Sequence, residues 1–196
     1  LQLLCGPPGD LLNHVQSQDI IAFTGSYATA QRLRENKTIS AQGPHLNLEA
    51  DSVNAAVLGP DVEQGTETYH LFINDLTKEI SQKAGQKCTA IRRIFVPPAR
   101  LDDVIADLSE KLQALALGDP NNQDVNIGPV NSPEQQQRIL KDIDTLVENG
   151  AKIAFQWQGD LIDVQQNQGA FIRPTLLRID HPDTCSHVHE TELFGP

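Results

Sequence analysis

The chain has 196 residues and is 39% hydrophobic, enough for one sizeable core and part of a second. Its formal net charge of -11, with no run of lysine and arginine to break the acidity, argues against a nucleic-acid backbone or an anionic membrane as partner. Three cysteines, Cys5, Cys88 and Cys185, are widely spaced, odd in number and without metal-ligand spacing, which predicts free thiols in a reducing cytoplasm rather than a disulfide framework.

Leu1 to Cys5 reads as a strand, turned by Gly6-Pro7-Pro8-Gly9. Asp10 to Gln16 is predicted to be a short helix with Leu11, Leu12 and Val15 on one side. A buried strand is expected over Asp19 to Phe23, running into Thr24-Gly25-Ser26, and Ala28 to Arg34 starts another helix. Strand, glycine turn, helix is the local plan of a dinucleotide-binding α/β domain. From Leu46 the pattern changes. Leu46, Leu48 and Ala50 alternate with Asn47, Glu49 and Asp51, the period of a half-buried strand, and Ala55 to Leu58 forms a second apolar run.

Tyr69, Phe72, Ile73, Leu76 and Ile80 recur at helical spacing and predict a buried helix running into Lys83-Ala84-Gly85-Gln86-Lys87-Cys88. Ile91, Ile94, Phe95 and Val96 follow as a buried strand closed by Pro97-Pro98. Cys88 is therefore expected at a helix-to-strand junction, where rigid elements can hold a thiol towards a cleft. A thiol so placed is a candidate nucleophile, because a thiolate attacks carbonyl carbon readily and leaves it again. The alternative is a small buried hydrophobe.

Leu101, Val104, Ile105, Leu108, Leu112 and Leu115 mark a long helix ended by Gly118-Asp119-Pro120. Ser132-Pro133-Glu134-Gln135 supplies an N-cap serine, a first-turn proline and a glutamine at the capping-box position. The helix it opens buries Ile139, Ile143, Leu146 and Val147, and Gly150 stops it. Ala151 to Trp157 and Phe171 to Leu177 are predicted strands. His187 and His189, two apart beside Glu190, would share a face on a strand, but no third ligand is apparent and no metal site is predicted. The alternation of strands and helices is α/β throughout. The abrupt start at Leu1-Gln2-Leu3-Leu4, the end at Phe194-Gly195-Pro196 and the absence of methionine suggest a piece of a larger protein. No stretch of about twenty apolar residues and no basic-plus-apolar leader occurs.

Gly85-Gln86-Lys87-Cys88 with the strand from Arg93 to Val96 resembles the nucleophile motif of the aldehyde dehydrogenase superfamily. Phe23-Thr24-Gly25-Ser26 is similar to that family's cofactor turn. Gly118-Asp119-Pro120, Ile127-Gly128-Pro129, Arg173-Pro174-Thr175-Leu176 and Glu192-Leu193-Phe194-Gly195-Pro196 match its later landmarks in order. Leu48 to Ser52, taken with Lys83 to Arg93, looks closest to one branch, the aldehyde dehydrogenase domain of the bifunctional ring-opening enzyme of aerobic phenylacetate degradation.

The resemblance implies a three-layer aldehyde dehydrogenase-like fold, with the end of a Rossmann-type cofactor domain over 1–45 and a catalytic domain over 46–196. It implies that Cys88 is the nucleophile and Glu49 the general base for deacylation. Gly25 and Ser26 would approach the cofactor pyrophosphate, Glu192 would hold the nicotinamide ribose, and Phe194 would pack beside the ring. The cofactor would be NADP or NAD, and the substrate an aldehyde, in this branch a semialdehyde carried as a coenzyme A thioester. Relatives assemble as homo-oligomers. Most relatives follow the glutamate with a leucine and two glycines, whereas this chain has Ala50-Asp51-Ser52. The family's oxyanion asparagine and its adenine-side lysine would both precede Leu1. Two other readings remain open at this point: transfer of the acyl group to coenzyme A instead of water, and a catalytically silent scaffold. Lys87 is expected to be solvated, and Cys5 and Cys185 to be structural.

Overall fold

The computed structural model describes residues 2–165 and 168–196; Leu1, assigned above to an opening strand, lies outside them. The chain divides into two compact units, Leu1–Ser52 and Val53–Pro196.

In the first unit, strand β1 (Ile20–Gly25) pairs in parallel with β2 (His45–Ala50), Thr24 opposite Glu49 and Gly25 opposite Ala50. Two helices connect them, as a parallel pair requires. Helix α1 (Tyr27–Arg34) is capped by Ser26, and α2 (Lys37–Gln42), not anticipated above, is capped by Asn36, whose Oδ1 accepts from the amides of Thr38 and Ile39. Gly43 ends α2 in the left-handed conformation, φ 63. The ladder keeps β2 with β1, so the alternating segment belongs to this unit.

Three expectations change here. Residues 2–5 form no strand, and Leu3 and Leu4 are exposed; the ladder offers them no partner. The segment from Asp10 is a single 3-10 turn, Leu11–His14, without a side-chain cap. Strand β1 is half-buried on alternate residues, with Ile20 72% exposed, the pattern of a sheet with one face covered and the other open.

The second unit opens with β3 (Asn54–Val57), parallel to β4 (Ile91–Phe95). Between them runs α3 (Glu67–Ser81), capped by Thr66. Helix α4 (Leu101–Gln113) packs against α3, and their apolar stripes meet in one cluster: Leu58, Tyr69, Ile73, Leu76, Val104, Leu108 and Leu112. Helix α5 (Pro133–Glu148) is capped by Ser132, whose Oγ accepts from the Gln135 amide at 3.2 Å, and Gly150 follows its end at φ 104. It joins a second cluster with Leu117, Ile127, Trp157 and Ile172. Strands β5 (Lys152–Gln156) and β6 (Thr175–Arg178) pair antiparallel, β6 being shorter than predicted because it begins only after Pro174.

His187 and His189 fall on a one-turn helix, α6 (His187–Glu190), not on a strand, so they do not share a face. His189 Nε2 lies 3.1 Å from the Pro182 carbonyl oxygen. Among the described residues no three His, Cys, Asp or Glu side chains gather to hold a metal, and no helix is long and apolar enough to cross a membrane.

Candidate active site

In the first unit, parallel pairing delivers Gly25 and Glu49 to the same end of a two-stranded sheet. Gly25 is exposed at the last position of β1, and a Cβ built on it would meet the Phe23 ring at 2.5 Å, so the position admits only glycine without moving that ring. Ser26 directs its hydroxyl into its own helix: Oγ accepts from the Thr29 amide at 3.4 Å and lies 3.1 Å from Thr29 Oγ1. The Glu49 side chain is on the exposed face of β2.

Asp51 was not assigned a role above. It adopts φ 51, a left-handed conformation that costs about 1 kcal/mol for a residue with a Cβ and that glycine takes freely. Its amide donates to the Gly25 carbonyl at 3.3 Å, and its Oδ1 accepts from the Tyr27 amide at 2.9 Å. The carboxylate thus caps the first turn of α1 from the end of β2, offsetting strain with a charge-assisted hydrogen bond at the positive end of the helix. A diphosphate fits the bare backbone at Gly25 and Ser26 and the helix behind it. One first-turn donor, however, is already held by this chain's own anion.

In the second unit, Cys88 is exposed and follows a reversal of helical hand. Helix α3 runs into a tight turn in which Lys83, Ala84 and Gly85 have φ of 53, 51 and 68. Side chains from four directions hold this turn. Asn54, at the start of β3, donates Nδ2 to the carbonyls of Cys88 at 2.7 Å and Ala90 at 3.2 Å. Gln86 Oε1 accepts from the Asn131 amide at 3.0 Å. Arg92 Nη2 donates to the carbonyls of Gly85 at 2.6 Å and Lys87 at 3.3 Å. Lys87 does not stay in solvent as expected: Nζ lies 2.8 Å from Glu79 Oε1 and 3.0 Å from Gln82 Oε1, with the lysine side chain only 16% exposed. An ammonium stripped of that much water needs anionic and amide acceptors, which Glu79 in the last turn of α3 and its C-cap Gln82 supply.

Glu192 and Phe194 lie in a segment packed on this turn. A Cβ built on Gly85 would overlap the Gly195 carbonyl, so the two backbones are in direct contact. The Arg92 guanidinium sits 5.3 Å from the Phe194 ring centroid. Gln135, instead of closing a capping box back onto Ser132, donates Nε2 to the Phe194 carbonyl at 3.2 Å. Arg93 donates to the carbonyls of Val188 and Thr191, holding the chain just before Glu192. Burial lowers the pKa of Arg92, while the Glu192 and Glu79 carboxylates raise it; arginine stays charged throughout. The turn that precedes the thiol and the segment that carries the two expected cofactor contacts are thus packed together.

A cavity of about 490 Å3 lies elsewhere, between α3 and α4. There Asp107 Oδ2 accepts from Tyr69 Oη at 2.8 Å and Gln64 Nε2 at 3.0 Å, and burial, with Asp107 beside it, pushes the Tyr69 phenol well up. None of the expected site residues lines it, so its size does not make it the active site.

Sequence reasoning missed Asn54, Arg92 and Glu79. The signal for Arg92 was its place next to Arg93 between Ile91 and Ile94, two cations inside an otherwise apolar strand.

Comparison with known proteins gives a consistent picture. The chain is 39% identical over 199 residues to 3,4-dehydroadipyl-CoA semialdehyde dehydrogenase of Aromatoleum evansii, which it matches over 100% of its own length and 38% of the relative's. Betaine aldehyde dehydrogenase of Staphylococcus aureus, solved in complex with NAD+, superposes with a TM-score of 0.77 at 26% identity, covering 91% of this chain and 33% of that one. A variant of the aldehyde dehydrogenase of Bacillus cereus gives 0.76 at 28%, covering 95% and 35%. The chain therefore spans little more than a third of the relatives it matches. With α/β units of this kind and a family model, "Aldehyde dehydrogenase family", matching residues 1–196, the chain belongs to the aldehyde dehydrogenase family.

Proposed function

We propose that the complete protein oxidises an aldehyde to a carboxylate through a thioacyl intermediate on Cys88. The substrate would be a semialdehyde carried as a coenzyme A thioester, within aerobic phenylacetate catabolism. The reading rests above all on Cys88, an exposed thiol on a turn braced by Asn54, Gln86, Lys87 and Arg92. The relative named for a CoA semialdehyde supports the substrate class.

In this reading the Cys88 thiolate adds to the carbonyl carbon, giving a tetrahedral thiohemiacetal. Loss of hydride from that adduct would leave a thioester on Cys88, the acceptor chemistry being what NADP+ or NAD+ would supply when bound. Glu49 takes a proton from water, the resulting nucleophile breaks the thioester, and the thiol is regenerated. Gly25 and Ser26 would hold the diphosphate, Glu192 the ribose beside the nicotinamide, and Phe194 the ring. The first compact unit would be the end of the dinucleotide-binding domain and the second the thiol-bearing catalytic domain. The protein would work in the cytoplasm, as a homo-oligomer.

Turnover of the complete protein with a CoA-linked semialdehyde tests this. Cys88→Ala is expected to abolish it. Glu49→Gln is expected to release about one equivalent of reduced dinucleotide per site and then slow by about 10²–10⁴. Full activity of the cysteine variant would remove the proposal. Mass analysis of the product separates hydrolysis from transfer to coenzyme A, against which Glu49 argues, since a thiol acceptor needs no base for water.

One observation favours a second reading, a silent scaffold: the Asp51 carboxylate on the first amide of α1. Calorimetric titration with NADP+ and with NAD+ decides, because a scaffold would give no saturable heat with either.

A further inference from the structure

Arg92 occupies an irregularity in the β3–β4 ladder. Asn54 pairs with Ile91 and Ala55 with Arg93, so Arg92 is the residue without a partner across the sheet. A bulge re-aims the side chain it carries. Here it sends Arg92 to the turn before Cys88, while its neighbour Arg93 reaches the carbonyls of Val188 and Thr191. One guanidinium therefore touches both halves of the second unit's site. Nη2 is on the carbonyls of Gly85 and Lys87, and the cation lies over the Phe194 ring. Nε is buried without a hydrogen-bond partner among the described residues. A cation so desolvated, with one donor unused, is not where packing alone would put an arginine. Its surroundings are the backbone that presents the thiol and the segment expected to meet the dinucleotide.

We infer that Arg92 is a positioning residue that couples dinucleotide contact at Glu192 and Phe194 to the presentation of Cys88. This deepens the reading given under Proposed function and rests on its assignment of Cys88 and Phe194. Any displacement of the Phe194 ring or of the Glu192 charge when the dinucleotide binds changes what the guanidinium faces on one side. On its other side it donates to the two carbonyls of the nucleophile turn. A planar fork suits this double role, and a lysine does not, because an ammonium cannot lie flat on a ring while donating along a fixed direction to two carbonyls.

The test uses the complete protein and reads the chemistry of the thiol without turnover. Iodoacetamide alkylation of Cys88 is followed by peptide mass analysis with and without saturating NADP+, and exposed Cys5 serves as an internal reference. In the native protein the dinucleotide is expected to change the Cys88 rate by about fivefold or more relative to Cys5, the lower end of ordinary coupling between sites. In Arg92→Met and Arg92→Lys the ratio is expected to fall to within about twofold of one, with NADP+ binding still saturable. A native-like ratio in either variant overturns the inference; in the lysine variant it would show that charge alone suffices. Arg92→Lys also covers the case in which the methionine variant fails to fold. Saturable binding with no effect on native Cys88 removes the coupling and leaves the proposed oxidation standing. Absence of binding of both NADP+ and NAD+ removes both.

Discussion

At the scale of single residues, Asp51 carries the clearest energetic conflict. It accepts a left-handed backbone and places a carboxylate on the first amide of α1, where the proposed reading would bring a diphosphate. An anion at a helix N-terminus is worth about 0.3–1 kcal/mol, and a carboxylate and a diphosphate there would compete for it. Asp51→Asn, which keeps an acceptor for the Tyr27 amide but drops the charge, should therefore bind NADP+ about twofold to fivefold more tightly in a fluorescence titration. Unchanged or weaker binding would mean that the carboxylate and the diphosphate do not compete. Cys88, Glu49 and the Gly25-Ser26 pair were legible as candidates because each sits in a short local motif. Asn54 and Arg92 were not, because what they do depends on partners far along the chain. Asn54 meets Cys88 34 residues on, and Phe194 comes to Arg92 only through folding. Lys87 was misjudged for the same reason, since Glu79 lies eight residues back on a helix whose end direction the sequence does not specify.

Helices α3, α4 and α5 were readable as elements, each having three or more turns of apolar residues at period 3.6, and α3 and α5 also a side-chain cap. The one-turn helix α6 is too short to show any period, so nothing in the sequence marks it as a helix. The β5–β6 pair is tied at one end by Asp180, which receives Lys152 Nζ and Arg178 Nε, both at 2.6 Å. Those two hydrogen bonds hold its carboxyl down at about 2, against an ordinary value of 3.8. A group with a depressed folded value contributes its full stabilisation above the unfolded value and loses it as pH falls through the folded one. Native protein should therefore melt higher than Asp180→Asn at neutral pH, with the difference shrinking below pH 3.8 and gone near pH 2. A constant difference across that window would show that Asp180 acts through packing instead of charge.

Across the whole molecule, apolar burial is unevenly shared. Ala30 and Ile39 are the fully buried hydrophobics of the first unit among the described residues, whereas the second has extended clusters. Leu108, with no exposed surface at the α3–α4 contact, should cost about 2–5 kcal/mol when cut to alanine, read as a lower denaturant midpoint. A loss well under about 1 kcal/mol would mean that the contact is loose enough to collapse around the gap. The change of periodicity at Leu46 correctly announced a new element, but strand pairing is a long-range property, and the ladder with β1 is what gathers β2 into the first unit. Among the described residues the six strands meet as three pairs, so each has an outer row of amides and carbonyls with no ladder beside it there. Such rims are adhesive to any extended peptide, including a neighbouring copy. Prepared at high concentration by itself, this stretch of chain would tend to cloud its solution, and lysine or proline placed along an outer row would be the remedy.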